Sequence, residues 1–199
     1  MVAHVEEAVT MTIIKTPADT DATGTVAEIY ADDIRDLGFV AGHTKVMSVN
    51  PEAYLAWRTL IGAIAHSLGF RRYELVTLAA ARGAHSTHCR LAHGRKSLRI
   101  FSEDELFSIA TDYRTAGLPD AEVAMMEFAE KVSTDAAGMT DADSAVLRNA
   151  GFSDREIVDI ALAAAARNYY ARASQALGAE VDDLPELSPR LRAALLDWN

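Results

Sequence analysis

The chain has 199 residues, half of them apolar, and carries 29 Asp and Glu against 19 Lys and Arg, a formal net charge of −10. This length suits one large domain or two small domains that share a core, and the apolar fraction is ample for that core. The acidic excess argues against a nucleic-acid surface, which needs clustered Lys and Arg, and against adhesion to anionic membranes.

The N-terminal residues and the single cysteine bear on where the protein works. Glu6 and Glu7 stand where a secretory signal would carry a basic end and then a long apolar run. The longest apolar run, residues 160–166, is too short to span a bilayer. Cys89 is the only cysteine, so no intramolecular disulfide can form, which suits a reducing compartment. We therefore expect a cytoplasmic protein.

Capping and proline signals predict most of the helices. In chain order, these signals are the capping box Thr25–Glu28, the pair Asn50–Pro51, the box Ser102–Glu105, Pro119, the box Ser153–Glu156 and the pair Ser188–Pro189. Gly38 is expected to end the first of these helices, and residues 57–68 carry an apolar stripe of helical period. No stretch alternates with a period of two, so the sequence predicts an all-α protein of roughly eight helices and no sheet.

An internal repeat relates two parts of the chain. Residues 69–81 align with residues 151–163 at an offset of 82, and six of the thirteen positions are identical. Both copies place a glutamate, Glu74 or Glu156, early in an Ala-rich helix. Small side chains let helices approach closely, so we expect these two helices to pack near each other in the centre.

The two copies diverge after the aligned segment. Cys89 and His93 of the first copy stand opposite Ala171 and Gln175 of the second. Duplication alone explains the shared glutamate, but it does not explain the cysteine and the histidine. Any chemistry is therefore expected in the first copy.

The repeat also defines the predicted domain organisation. Residues 1–11 are expected to be a disordered extension, and residues 12–199 are expected to form a single helical domain. Its two related halves span about residues 51–100 and 133–180.

Spacing places three chemically capable side chains near one helix start. Gly83 should end the helix that carries Glu74, and Ser86 should cap the next helix. Cys89 then lies in the first turn of that helix, where free N–H groups and the helix dipole favour a thiolate. His93 follows one turn later on the same face, where imidazole can accept or return the thiol proton. Glu74 can orient His93 or exchange a proton with it.

Each of these residues also has a purely structural interpretation. A lone cysteine is most often inert packing, and His93 could be an ordinary half-buried residue. Glu74 alone could be a solvated or capping carboxylate. The choice between the two interpretations depends on whether the three side chains meet.

Two further clusters are weaker signals. His85, Cys89 and His93 could form a soft-metal face, but His85 is expected before the helix start and no Cys-x-x-Cys accompanies it, so we expect no metal and no cofactor. Residues 167–172 combine Arg, Asn and Tyr side chains within the last long helix. They either line a pocket opposite Cys89 or, the alternative we favour, belong to an interface or to the edge of the core.

The segment around Cys89 resembles the motif of the AhpD-like alkylhydroperoxidase family, which shares its fold with the carboxymuconolactone decarboxylases. That motif reads E-x11-C-x2-C-x3-H, and Glu74, Cys89 and His93 match it with all spacings intact. Ser86 stands in place of the first cysteine. The flanking segments NPEAYLAW and LRNAGFSDREIVDIALAAAARNYYARASQALG resemble the peroxidase-related branch, and the resemblance extends over about residues 12–190.

The resemblance implies an AhpD-like helical fold and a peroxidase-type, antioxidant thiol oxidoreductase. Cys89 would be the thiol that reacts with a small hydroperoxide, activated by Glu74 and His93. Ser86 cannot resolve the resulting sulfenic acid to a disulfide, although its hydroxyl keeps the helix cap and a hydrogen bond to Cys89. An external thiol or a reductase partner would have to regenerate Cys89.

The resemblance also implies a homo-oligomer, from a dimer to a trimer or hexamer, and leaves two other functions open. One is a decarboxylase-like enzyme that acts on a small acid or lactone, with Glu74 or His93 as the acid–base group. The other is a catalytically silent scaffold or sensor, which the replacement of the first cysteine by Ser86 favours.

Overall fold

A computed structural model describes residues 13–198 of the chain, and the extension predicted over residues 1–11 lies outside these residues. Residues 13–198 form ten α-helices and one 3₁₀ helix (Ala136–Gly138), without a β-strand. The α-helices are α1 (Gly24–Leu37), α2 (Gly42–Met47), α3 (Pro51–Leu68), α4 (Phe70–Gly83), α5 (Thr87–Ser97), α6 (Glu103–Asp112), α7 (Asp120–Asp135), α8 (Asp141–Asn149), α9 (Asp154–Ala176) and α10 (Pro189–Leu195). The predicted all-α class is confirmed, with two helices more than the eight expected.

The two additional helices are short and weakly signalled. α8 begins with a box in which the carboxylate of Asp143 accepts a hydrogen bond from the backbone N–H of Thr140 at 2.7 Å. An aspartate therefore does here what glutamate does in the usual box. α2 has only six residues and begins after Ala41, whose side chain offers no cap. Nothing in its sequence distinguishes it from a loop.

Most predicted helix starts are confirmed, and one is wrong. The confirmed N-cap residues are Asn50, Ser86, Ser102, Pro119, Ser153 and Ser188. The predicted box Thr25–Glu28 does not form, because α1 begins at Gly24 and Thr23 is its N-cap. Thr25 therefore lies inside the first turn, where its backbone is helical and its hydroxyl cannot cap. Gly38 ends α1 in the left-handed conformation, as predicted.

α4 lies in the centre of the fold and packs against α5, α7 and α9. Its residues from Tyr73 to Ala81 are all buried, and Ala163 and Ala164 of α9 are buried as well. The predicted packing of the two Ala-rich helices is therefore confirmed. Gly83 does not end α4 in the left-handed conformation, contrary to the prediction. It is the last helical residue, and a Cβ there would stand 2.7 Å from the Cβ of Ser133 on α7, so glycine permits the close approach.

No helix within residues 13–198 combines the length and the apolar character needed to cross a membrane.

Candidate active site

A cavity of about 910 Å³ opens beside the helix start that the sequence singled out. Helices α1 to α5 and α9 and the segment before α10 all contribute to its wall. Aromatic side chains form much of that wall: Tyr54, Trp57, Tyr73 and Tyr170. Cys89 and His93 face the same space. The cavity is therefore large enough for an organic molecule rather than for water alone.

The turn between α4 and α5 sets the position of Cys89. The N–H of Ser86 donates to the carbonyl of Ala81, and the N–H of His85 donates to the carbonyl of Arg82, which is the Schellman arrangement. His85 takes the left-handed conformation (φ 50°) that glycine usually supplies. The side-chain amide of Gln175 donates to the carbonyl of His85 at 2.8 Å. This contact from α9 thus stabilises a turn whose backbone is strained at His85.

Ser86 caps α5, and this places Cys89 in the first turn of the helix. The Ser86 hydroxyl accepts a hydrogen bond from the backbone N–H of Cys89 at 3.4 Å, and Ser86 is fully buried. Cys89 is 3% exposed, and its buried apolar neighbours are three alanines: Ala81 of α4, Ala84 directly after α4 and Ala171 of α9. The positive end of the α5 dipole favours negative charge on the sulfur.

Arg167 of α9 is the side chain that hydrogen-bonds to the sulfur within residues 13–198. Its Nη1 donates to Sγ of Cys89 at 3.7 Å, and its Nη2 donates to the hydroxyl of Tyr73 at 3.1 Å. The guanidinium is buried, which by itself would lower its pKa. The nearby Cys89 and Tyr73 outweigh this effect and raise the pKa of Arg167 above its usual value. A permanent cation therefore lies beside the sulfur of Cys89.

Glu74 and His93 form a buried pair. Nδ1 of His93 lies 2.7 Å from Oε2 of Glu74, and the two residues are only 4% and 1% exposed. Burial lowers the pKa of His93 to about 4, although the Glu74 carboxylate acts in the opposite direction. Burial raises the pKa of Glu74, but the charge and hydrogen bond of His93 outweigh it and lower that pKa.

At neutral pH the pair is therefore an ionised Glu74 and a neutral His93. Because a carboxylate can only accept, we assign the Nδ1 proton to the bond with Glu74. Nε2 of His93 is then the nitrogen that remains to accept a proton in the cavity.

The sequence named four site residues, and the structure adds a fifth. Cys89 and His93 line the cavity, Glu74 bonds to His93, and Ser86 caps the helix behind the sulfur. Arg167 belongs to the cluster 167–172, for which the pocket was the less favoured alternative. The sequence offers one signal for Arg167, a charge directly after the apolar run 160–166, and this signal identifies neither its burial nor its partner.

The structure does not bring His85 onto the helix face of Cys89 and His93, which the metal alternative requires. His85 precedes α5, as expected, and its ring packs against the ring of Trp198. His88 lies in the cavity wall near His43, with ring centroids 5.8 Å apart. Within the part of the chain that the structure describes, no three His, Cys, Asp or Glu side chains converge as metal ligands.

Buried polar atoms in the cavity wall lack protein partners. Three of them are Nε1 of Trp57, Nε2 of His88 and Nε of Arg167, each without a hydrogen bond among residues 13–198. Buried polar groups are nearly always hydrogen-bonded, so these atoms indicate a wall that is completed by water or by a polar ligand.

Comparison with known proteins finds likeness in structure rather than in sequence. No protein-family model and no curated protein matches the sequence. An uncharacterized peroxidase-related protein with an AhpD core, from Ralstonia eutropha, is 24% identical with a TM-score of 0.75, over 86% of this chain and 93% of that chain. The debrominase Bmp8 is 19% identical with a TM-score of 0.74, over 93% and 97% of the two chains.

A protein of unknown function from Agrobacterium tumefaciens is 26% identical with a TM-score of 0.61, over 67% of this chain and 93% of that chain. These likenesses agree with the motif of Glu74, Cys89 and His93 in pointing to one fold. The chain is an AhpD-like protein in its fold, as its sequence predicted.

Proposed function

We propose that the protein is a single-cysteine thiol oxidoreductase that reduces organic hydroperoxides. One observation carries the proposal: the guanidinium of Arg167 donates to the sulfur of Cys89 in the cavity that His93 also lines. A thiol that only filled space would not need a buried cation at its sulfur. The aromatic wall favours an organic hydroperoxide over hydrogen peroxide.

The first step is a two-electron transfer from sulfur to oxygen. The Cys89 thiolate attacks the terminal oxygen of the hydroperoxide, an S–O bond forms, and the O–O bond breaks. Sulfur is oxidised to a sulfenic acid and the hydroperoxide is reduced to an alkoxide. The free Nε–H of Arg167 keeps one donor for a substrate oxygen, so the cation that stabilises the thiolate also stabilises the departing charge.

Protons pass through His93. Its Nε2 accepts the thiol proton of Cys89 and returns it to the alkoxide, which leaves as an alcohol. Because burial keeps the pKa of His93 near 4, the imidazole holds the proton only briefly and gives it up readily. Glu74 fixes the ring and its tautomer and stabilises the imidazolium while it exists.

Regeneration of Cys89 needs a thiol from outside the chain. One thiol displaces water from the sulfenic acid to give a mixed disulfide, and a second releases Cys89 and forms an external disulfide. This requirement fits a reducing compartment, and we place the protein in the cytoplasm.

A homo-oligomer is part of the proposal. The packed helices α3 and α9 both expose large apolar side chains: Leu55, Leu60, Val158, Leu162 and Tyr169. A second copy of the chain would cover them. Light scattering coupled to size-exclusion chromatography measures the number of copies.

The buried pair of Glu74 and His93 also favours a second candidate, acid–base catalysis on a small acid or lactone. That reaction needs no thiol, so substitution of Cys89 separates the two candidates. Cys89→Ala abolishes hydroperoxide reduction, whereas it leaves a decarboxylase-like activity in place.

The test is hydroperoxide consumption with and without an added thiol. Cumene hydroperoxide should be consumed catalytically with dithiothreitol, faster than hydrogen peroxide, and dimedone should trap a sulfenic acid at Cys89 by mass spectrometry. Cys89→Ala is the control and should do neither. If the wild-type protein consumes no hydroperoxide and yields no dimedone adduct, the proposal is wrong.

A further inference from the structure

α5 carries a third cavity-lining residue on the face that holds Cys89 and His93. Lys96 follows His93 by three residues and Cys89 by seven, so all three lie on one side of the helix, and all three line the cavity. At a rise of 1.5 Å per residue, Lys96 stands about 10 Å along the axis from Cys89. Among residues 13–198, the Lys96 ammonium has no hydrogen bond and no ion pair.

The carboxylates of the cavity wall are committed to other partners. Asp33 accepts from the backbone N–H of Ala41 at 3.1 Å, and Asp182 accepts from the backbone N–H of Gly42 at 2.8 Å. Glu186 pairs with Arg95 at 2.6 Å, and Asp36 is 3.1 Å from Arg35. Glu74 is bonded to His93. None of these carboxylates forms a hydrogen bond or an ion pair with Lys96, although Glu74 and Asp33 are near enough for their charges to raise its pKa.

Lys96 is an exposed side chain that also forms part of the cavity wall. The side chain is accessible to solvent, yet enough protein surrounds the ammonium that desolvation lowers its pKa. Glu74 acts in the opposite direction, and the cation of Arg167 lowers the pKa further. The attraction of a bound anion would offset both the desolvation of the ammonium and its repulsion by Arg167.

The remaining wall fits the body of an organic molecule. Tyr54, Trp57, Ile61 and Tyr170 give the same cavity an apolar and aromatic lining. A ligand with a charged head at Lys96 would therefore have an apolar surface for the rest of its length. The Lys96 ammonium can balance the single negative charge of a carboxylate through a charge-assisted hydrogen bond.

We propose that the substrate is an organic hydroperoxide that also carries a carboxylate, bound by Lys96 about 10 Å along α5 from the thiol that attacks the peroxide. This inference rests on the proposed hydroperoxide reduction for the identity of the reacting group. The carboxylate anchor itself is a property of the cavity and can be tested without turnover.

The test measures how unreactive ligands protect Cys89 from iodoacetamide, a neutral reagent. Octanoate and octanamide are matched in length and differ in charge, and acetate carries the charge without the chain. We expect octanoate to protect at concentrations about tenfold below those of octanamide, as a charge-assisted hydrogen bond allows. Acetate should not protect, because it cannot reach Cys89 from Lys96.

Variants assign the preference to one side chain. Lys96→Met should make octanoate and octanamide protect equally, and Lys96→Arg should retain the preference for octanoate. Lys15→Met removes the same charge from an exposed residue outside the cavity wall and should keep the wild-type ratio. Equal protection by the two ligands in the wild-type protein, absence of protection by both, or a preference that survives in Lys96→Met would each overturn the anchor.

The outcome is independent of the proposed catalysis. If the wild-type protein reduces no hydroperoxide but octanoate still protects through Lys96, the proposed function fails and the carboxylate anchor stands. If hydroperoxides are reduced and the carboxylate preference is absent, the anchor fails alone.

Discussion

The two repeat halves differ most in the continuity of one helix. In the first half the chain breaks between α4 and α5, so a new helix begins at Ser86 with Cys89 in its first turn. In the second half α9 runs without a break through the aligned positions, from Asp154 to Ala176. At the offset of 82, the turn residue His85 aligns with Arg167. One half therefore supplies a helix start, and the other supplies the cation that faces it.

The glutamates of the two halves also serve different purposes. Glu74 is buried and bonds to His93. Glu156 closes the capping box of α9 by accepting from Ser153, and it pairs with Arg72 at 2.8 Å. Gln175, the counterpart of His93, supports the α4–α5 turn through the carbonyl of His85. Glu156 and Gln175 therefore stabilise helix ends and turns outside the cavity wall, whereas Glu74 and His93 belong to the candidate site.

The largest effect should separate the two glutamates. Glu74→Gln removes the charge that holds the His93 tautomer, so hydroperoxide reduction should fall about a thousandfold, within the range for acid–base groups. Glu156→Gln should leave the rate unchanged and cost about 0.5 kcal/mol of unfolding free energy, because Arg72 loses its charged partner and the first turn of α9 loses a negative charge. Stopped-flow kinetics and urea unfolding of both variants measure the contrast. Equal losses of rate in the two variants would contradict the catalytic role proposed for Glu74.

The sequence predicted the parts of the site that depend on local spacing. The motif gave Glu74, Cys89 and His93, and capping rules gave the helix start at Ser86. Arg167 escaped a firm prediction because its position beside the sulfur depends on how α9 packs against α4 and α5. The same holds for Lys96, whose lack of a partner appears only when the neighbouring carboxylates are placed in three dimensions.

Two predictions of helix ends are wrong. Gly83 reads as a helix stop, but tertiary packing against Ser133 explains the glycine, and His85 takes the left-handed position instead. Thr25 reads as the N-cap of α1, but the N-cap is Thr23, two residues earlier. Capping rules consider one chain segment at a time, so they cannot show that a glycine such as Gly83 is needed for packing against another helix.

The next largest effect concerns the loss of folding stability at low pH, which should depend on His93. The unfolded chain protonates His93 near its ordinary pKa of 6.5, whereas the folded protein does so only near 4, because burial opposes the charge. Between these values the unfolded state binds more protons, so stability falls as the pH falls from 6.5 to 4, by on the order of 2–3 kcal/mol from this residue.

His93→Gln introduces the residue found at the equivalent position of the second half. In this variant the unfolding free energy should fall less steeply between pH 6.5 and pH 4. Burial also lowers the pKa values of His43 and His88, so part of the slope should remain. His66→Gln, at an exposed site on α3, is the matched control and should keep the full slope. Urea unfolding at several pH values measures it, and an unchanged slope in His93→Gln would contradict the prediction.

A smaller effect should follow from the cation supplied by the second half. Arg167→Met removes the donor to Sγ, and the rate of Cys89 alkylation by iodoacetamide at pH 7 should fall about tenfold, as for loss of one charge-assisted hydrogen bond. Arg167→Lys should restore part of the rate. Arg172→Met, on the same helix but outside this cavity, should alkylate at the wild-type rate. Equal rates in Arg167→Met and the wild type would leave the thiol without its proposed activator.

The smallest effect concerns Ser86, the N-cap residue of α5 in the first half. Ser86→Ala should lower the unfolding free energy by about 1 kcal/mol and slow Cys89 alkylation slightly, because the N–H of Cys89 loses its acceptor. Ser153→Ala removes the equivalent cap of α9 and should cost similar stability without changing alkylation.

Ser86→Cys instead provides a second thiol three residues before Cys89. Peroxide should then produce an 86–89 disulfide, visible by mass spectrometry, in place of a sulfenic acid that is slowly oxidised to the sulfinic acid. That variant should turn over with a dithiol reductant, and persistence of the sulfenic acid in it would mean that the turn at His85 holds the two side chains apart.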